Sequence, residues 1–269
     1  MTNAGPSFMP RIVGETICER YEVLKCIAQG RTALVFAAID HAAAAENAVE
    51  RFCTLKFPLP ELRQAEPLLR CFLREGALLA KCQHKNILRF QRYGDYGGLP
   101  FLVTEYVVGE RLDHWRPASP LSGPAWRDIA RLGKQIAWAL QHIHDQGVVH
   151  GDIKPSNIII TKDGNAKLID FGSAQDKTQH DTGQALNGFT PQYATRERQG
   201  GETAEPADDI HALACLIHRL ALDRGGAQHG EKPAGMGDAA WQALNHMLVP
   251  TRSAQPSRAA DMLDLVFRD

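Results

Sequence analysis

The six cysteines (Cys18, Cys26, Cys53, Cys71, Cys82, Cys215) include no C-x-x-C pair, which argues against a zinc site or a disulfide framework. They read as reduced, mostly structural thiols. Neither charge sign is in excess: 30 Lys+Arg stand against 31 Asp+Glu, a net charge of -1, so nothing in the balance calls for a nucleic-acid or membrane-surface partner. No stretch approaches the roughly 18 uninterrupted apolar residues of a membrane span, and residues 1–10 show no basic start followed by an apolar run. The expectation is a soluble, cytoplasmic protein, with delivery as a secreted effector left open. No block repeats at a fixed period, and the four alanines at 42–45 are the nearest approach to low complexity. What the chain does have is apolar side chain, 44% of 269 residues, enough to bury the core of one large domain or two modest lobes.

After a leader over residues 1–20, residues 21–27 and 34–39 are short runs rich in Val, Ile, Leu and aromatics around a polar turn at 28–32, which predicts a hairpin. Residues 52–57 predict a third strand. Residues 68–82 carry Leu68, Phe72 and Leu79 at helical spacing with Glu75 between them. Two more strands, 88–96 and 101–107, flank Gly97-Gly98, which completes a five-stranded antiparallel sheet with one helix. From Trp126 the pattern becomes the stripe Ile129, Leu132, Ile136, Leu140 and Ile143, ending at Gly147, so the second half reads as mainly helical. A small hairpin at 158–160 and 166–169 and helices at 210–222 and 241–248 follow. The boundary falls near 107–109, giving lobes 21–107 and 108–269 of one domain spanning 21–267.

The strongest chemical signal is His150-Gly151-Asp152-Ile153-Lys154-Pro155-Ser156-Asn157, with Asp170-Phe171-Gly172 beginning thirteen residues after Asn157. The two segments resemble the catalytic loop and the D-F-G of protein kinases, and the phosphoryl transfer which that resemblance implies asks little covalent chemistry of a protein. It needs a carboxylate to orient and deprotonate the acceptor hydroxyl, and oxygen ligands for a divalent ion on the phosphates. Asp152 fits the first role, and Asn157 and Asp170 fit the second. In a chain without these two motifs such residues would pass as turn formers.

These segments resemble the H-R-D-x-x-x-x-N catalytic loop and the D-F-G of protein kinases, and the D-x-K-P-x-N form is similar to that of the eukaryotic-like serine/threonine kinases found in bacteria. The resemblance implies an α+β, two-lobed protein kinase fold, ATP and Mg2+ (or Mn2+) as cofactors, and a protein substrate. It also assigns roles. Lys56 on the third strand would hold the ATP phosphates with Glu75 as its ion-pair partner, Lys154 would neutralise charge on the transferring group, and Thr190 would bridge Asp152 and Lys154. Ile27, Gly30, Val35, Thr54, Thr104, Glu105, Val107 and Ile159 would line the nucleotide site, with the main chain of Glu105 and Val107 on the adenine and Thr104 as gatekeeper. His84-Lys85-Asn86-Ile87 resembles the family's H-x-N-I, and Asp209 would tie the catalytic loop to the helix beneath it.

The departures are specific. The glycine-rich loop has become Ala28-Gln29-Gly30-Arg31-Thr32-Ala33-Leu34-Val35, keeping one glycine, and Thr54 replaces the usual alanine. Gly151 stands where many kinases carry an arginine that receives a phosphorylated activation segment, so activity independent of that phosphate is expected. The A-P-E triplet reads Thr195-Arg196-Glu197, and its usual arginine partner has become Gln255, with a hydrogen bond expected in place of the ion pair and Arg252 or Arg258 as substitutes. The H-G-D form also resembles small-molecule phosphotransferases that act on aminoglycosides or choline, and the altered glycine loop is compatible with a pseudokinase. The segment Gly188-Phe189-Thr190-Pro191-Gln192-Tyr193, similar to G-T-P-x-Y, favours a protein kinase, including autophosphorylation.

Overall fold

The computed structural model describes residues 12–30, 32–44, 48–59, 66–115, 126–178, 188–225, 232–233 and 235–268. Arg31, Ala45 and most of the leader lie outside these residues. The chain divides into two compact units, residues 1–80 with 88–107 and residues 81–87 with 108–269.

In the first unit, period-2 alternation separates a core face from a site face. Strands β1 (Thr16–Ile17), β2 (Tyr21–Gln29), β3 (Ala33–Asp40), β4 (Phe52–Pro58), β5 (Phe90–Tyr96) and β6 (Leu99–Glu105) form an antiparallel sheet in the order β1-β2-β3-β4-β6-β5. Leu34, Phe36, Cys53, Leu55, Phe57, Phe101 and Val103 point to one side and are buried with Tyr21 and Val23. Phe36 meets Phe57 edge-on, with centroids 5.9 Å apart. Burying each of these large side chains contributes about 1.5–3 kcal/mol. The residues between them, Val35, Thr54, Lys56 and Thr104, share the opposite face, because Lys56 registers with Val35 and Thr54 with Thr104.

The sheet has six strands among the described residues, one more than the periodicity predicts. The addition is Thr16–Ile17, inside the stretch read as leader. It pairs with Tyr21 and Glu22 through a tight turn in which Cys18 and Glu19 both take positive φ. Ile17 is buried in the core cluster, which fixes the strand despite its length. Helix α1 (Glu66–Lys81) buries Cys71, Phe72, Leu78 and Leu79, and carries acid in its first turn and base in its last, as the helix dipole favours.

The second unit is built on helices α2 (Trp126–Asp145), α3 (Arg196–Gln199), α4 (Pro206–Gly225), α5 (Asp238–Met247) and α6 (Asp261–Leu265). The expected α2 stripe is buried, and the helix stops as predicted at Gly147, whose φ of +72° suits glycine. Helix α4 opens on a proline and buries Ile210, Leu213, Leu216, Ile217 and Leu220, the pattern of a helix enclosed by its own unit. Strands β9 (Ile158–Thr161) and β10 (Ala166–Leu168) make the expected hairpin, joined by β7 (Gly109–Arg111), while β8 (Val148–Val149) pairs with β11 (Gln175–Asp176). Residues 81–87 join this unit through Asn86, whose Nδ2 donates to the Ala166 carbonyl at 2.7 Å and whose own carbonyl accepts from the Leu168 N–H at 2.8 Å.

Among the described residues, no helix is long and apolar enough to cross a membrane.

Candidate active site

In the first unit, β4 and α1 bring together two residues nineteen positions apart. Lys56 Nζ donates to both Glu75 oxygens, at 2.6 and 2.8 Å, and the Glu75 side chain is only 4% exposed. A buried carboxylate held by one ammonium keeps that ammonium fixed on the strand. Thr54, two residues earlier on the same face, donates its hydroxyl to the Glu105 carbonyl at 2.8 Å and accepts from Thr104 Oγ1 at 3.1 Å. Gly30 closes the β2–β3 turn by donating its N–H to the Ala33 carbonyl at 2.8 Å. Ile27 is exposed, and Val35 and Val107 are half-buried.

In the second unit, the loop after β8 gathers the predicted catalytic residues. Lys154 Nζ lies 2.6 Å from Asp152 Oδ2, and Thr190 donates to Asp152 Oδ1 at 2.8 Å while accepting from Lys154 at 3.3 Å. Asn157 Nδ2 donates to the Asp152 carbonyl at 2.8 Å and approaches Oδ2 at 3.3 Å. The amide nitrogen of Asn157 is thereby committed, so its carbonyl oxygen is the atom that could take a ligand. Asp170 is exposed and sits at φ +65°, a left-handed backbone that a non-glycine residue adopts at a cost of about 1–2 kcal/mol. One amide oxygen and one carboxylate are hard donors suited to Mg2+, which takes few protein ligands beside phosphate oxygens. Ile159 is half-buried on β9.

The loop is held from beneath by main-chain contacts. Asp209, in the first turn of α4, accepts the His150 N–H and the Gly151 N–H, each at 2.8 Å, and Oδ2 also meets His144 Nε2 at 2.9 Å. Burial alone raises the Asp209 carboxyl. The His144 hydrogen bond, the charges of His144 and His150 and the Gly151 N–H outweigh it and hold the group below the usual carboxylate range. Gly151 sits at φ +76°. The His150 ring packs edge-on against Phe171, centroids 5.0 Å apart.

A family model described as the protein kinase domain matches residues 21–266. The chain belongs to the protein kinase family. Among its relatives, this kinase-family chain is 30% identical to the serine/threonine-protein kinase PrkC of Bacillus subtilis over 247 residues, which is 91% of this chain and 36% of that one. It is 29% identical to PknA of Mycobacterium tuberculosis over 265 residues, 94% of this chain and 57% of that one. The chain thus spans about a third to somewhat over half the length of these relatives. Of solved structures, the apo form of PpkA-294 superposes with a TM-score of 0.73 at 23% identity, covering 94% of this chain and 98% of that one. The Mycobacterium tuberculosis PknI kinase domain gives 0.69 at 21%, covering 94% and 96%. The two-lobed kinase fold stands.

Of the partners expected for Glu197, Gln255 is not one and Arg252 is, through its main chain rather than as an ion pair. Gln255 donates not to Glu197 but to the carbonyls of Met247, Val249 and Thr251, each at 3.1 Å, closing the turn after α5. Arg252 donates its main-chain N–H to Glu197 Oε1 at 3.0 Å and spends its guanidinium on Asp208 (3.0 and 3.1 Å), Glu202 (2.7 Å) and the Thr203 carbonyl. Arg258 is exposed. The buried acid of the arginine pair is therefore Asp208, to which Thr195 also donates. Two further residues escape sequence reading. His144 looks like one more polar helix residue. Arg198 lies in a run that reads as a solvated charged face, yet it is 2% exposed, with its guanidinium 5.2 Å from the Phe189 ring centroid, Nη1 on the Glu202 carbonyl at 2.6 Å and Nε without a partner among the described residues. A cavity of about 10 Å³, room for roughly one water, adjoins it beside Asp152, Asp208 and Asp209.

Proposed function

We propose that this chain transfers the γ-phosphoryl group of Mg-ATP to serine or threonine hydroxyls of proteins. The observation that carries the reading is the seat made by Asp152 and Lys154, where the Thr190 hydroxyl already rests 2.8 Å from the aspartate and 3.3 Å from the ammonium. A substrate hydroxyl needs the same two neighbours. Its proton passes to Asp152 as its oxygen bonds the γ-phosphorus, while the bond from that phosphorus to the bridging oxygen breaks and ADP leaves with the electron pair. Lys154 offsets the charge that spreads over the transferring oxygens.

Lys56, fixed by Glu75, would hold the α- and β-phosphates, with Gly30 in the turn above them. The Glu105 carbonyl and Val107 N–H would read the adenine, with Val35 the apolar residue that the first unit offers the base and Ile159 the one that the second unit offers. Asn157 and Asp170 would hold magnesium, or manganese in its place, and that ion when bound supplies neutralising charge on the phosphates. No covalent enzyme intermediate is required.

A protein substrate is supported over an aminoglycoside or choline-like one by the ordered Gly188–Tyr193 segment beside Asp152. An open cavity of about 270 Å³ also runs from Lys154 past Pro155, Tyr193, Leu216 and Leu220, room for side chains flanking an acceptor residue. The test is phosphate incorporation from Mg-ATP by wild type and Asp152→Asn, on a generic protein and separately on an aminoglycoside panel, read by mass spectrometry. Phosphoserine or phosphothreonine is expected, falling about 10²–10⁴-fold in the variant while Mg-ATP affinity holds. Phosphorylated small molecules alone would establish the rival, and no transfer at all would favour a pseudokinase.

A further inference from the structure

With Glu105 and Val107 read, as above, as the groups facing the purine ring, the hydroxyls beside them bear on which purine is accepted. Thr54 and Thr104 are direct neighbours in the β4–β6 register, and both are buried, at 9% and 5% exposure. Thr104 Oγ1 donates to Thr54 Oγ1 at 3.1 Å, and Thr54 Oγ1 donates in turn to the Glu105 carbonyl at 2.8 Å. Thr104 Oγ1 also lies 3.5 Å from the Glu105 carbonyl, so its shorter bond to Thr54 leaves Thr54 as the nearer donor to the carbonyl assigned to the base, and each link strengthens the next.

A carbonyl has two acceptor positions, and here Thr54 takes one of them. A 6-aminopurine brings a donor to such a carbonyl, and gains less from an acceptor already engaged. A 6-oxopurine brings an acceptor, which a bare carbonyl repels. A hydroxyl changes that balance because it both donates and accepts: turned from Glu105 toward the ring, Thr54 donates to a 6-oxo group while still accepting from Thr104. We propose that Thr54 is a specificity-determining residue that weakens the preference for ATP and allows GTP to serve as a second phosphoryl donor. The transfer is unchanged: the γ-phosphoryl group moves to the substrate hydroxyl and GDP leaves with the electron pair.

The experiment measures initial rates of the full chain with Mg-ATP and Mg-GTP for wild type, Thr54→Ala, Thr54→Val and Thr54→Ser, with Lys56→Met as the blank. Wild type is expected to use both nucleotides. Thr54→Ala and Thr54→Val should raise the ATP-over-GTP ratio of kcat/KM by about three- to tenfold, mainly through KM, as the loss or gain of one hydrogen bond allows. Thr54→Ser should keep the wild-type ratio. Thermal shifts with Mg-ADP and Mg-GDP give the same comparison for any variant that turns over slowly. Transfer from ATP with none from GTP, or a ratio unmoved in both Thr54→Ala and Thr54→Val, overturns the role of Thr54 and leaves the kinase reading standing. Wild type that transfers from neither nucleotide brings down both.

Discussion

Asp209 shows how one side chain can decide the position of a loop without touching a reactant. Both of its oxygens are spent on main-chain N–H groups of residues 150 and 151, with His144 as a third partner. Its folded pKa is depressed below the ordinary 3.8, so the stability it contributes is fully present above that value and is lost as pH falls through the lower folded value. Asp209→Asn should therefore be less stable than wild type at pH 7, and the two urea midpoints should converge below about pH 4. A gap that persists to pH 2 would mean that the charge is irrelevant. At this scale the sequence was informative where chemistry dictates residue type at fixed spacing, as at Asp152, Lys154, Asn157, Thr190 and Asp209. It was silent on His144 and Arg198, because their roles come from burial, and nothing in a polar helix turn or an Arg-Glu-Arg-Gln run announces burial.

Among elements, the four-residue helix α3 has an effect out of proportion to its length. It carries Arg198 into the interior, under the ring of Phe189, the residue next to Thr190. Burial pushes the Arg198 guanidinium pKa down, with Asp208, Asp209 and Asp152 opposing it, and Nε has no partner among the described residues. A buried cation with imperfect pairing is poor for stability, so its replacement by an apolar side chain of similar length should be nearly neutral or stabilising. Arg198→Met is expected to melt no lower than wild type while kcat falls about tenfold to a hundredfold, as Phe189 and Thr190 lose their support. A variant that melts lower and turns over normally would make Arg198 purely structural. The long elements were legible because their apolar stripes are strong. Strands β1, β7, β8 and β11, of two or three residues, have too few positions for a period, and only tertiary pairing defines them.

Across the whole molecule, the division after Val107 coincides with the change from alternating to helical patterning, whereas the assignment of residues 81–87 to the second unit depends on the contacts of Asn86, which no local pattern encodes. The Glu197 region shows why one motif position could not be carried over. The arginine is Arg252, three residues before Gln255, and it gives Glu197 only its main-chain N–H while its guanidinium goes to Asp208. Breaking that pair leaves Asp208, 5% exposed, without its cation, so Arg252→Gln should lower unfolding stability by about 3 kcal/mol in denaturant titrations. Gln255→Ala, which removes hydrogen bonds only to turn carbonyls, should cost about 1 kcal/mol.

The hydroxyl of Thr190, already settled on Asp152 and Lys154, has a consequence in time. At position 151 there is no side chain to receive a phosphate that would draw these three groups together. Product should accumulate linearly from the moment of mixing, whether the chain has first been treated with phosphatase or preincubated with Mg-ATP. A lag that preincubation removes would mean that the clock of this enzyme starts with a covalent event, and that the seat around Thr190 is completed only afterwards.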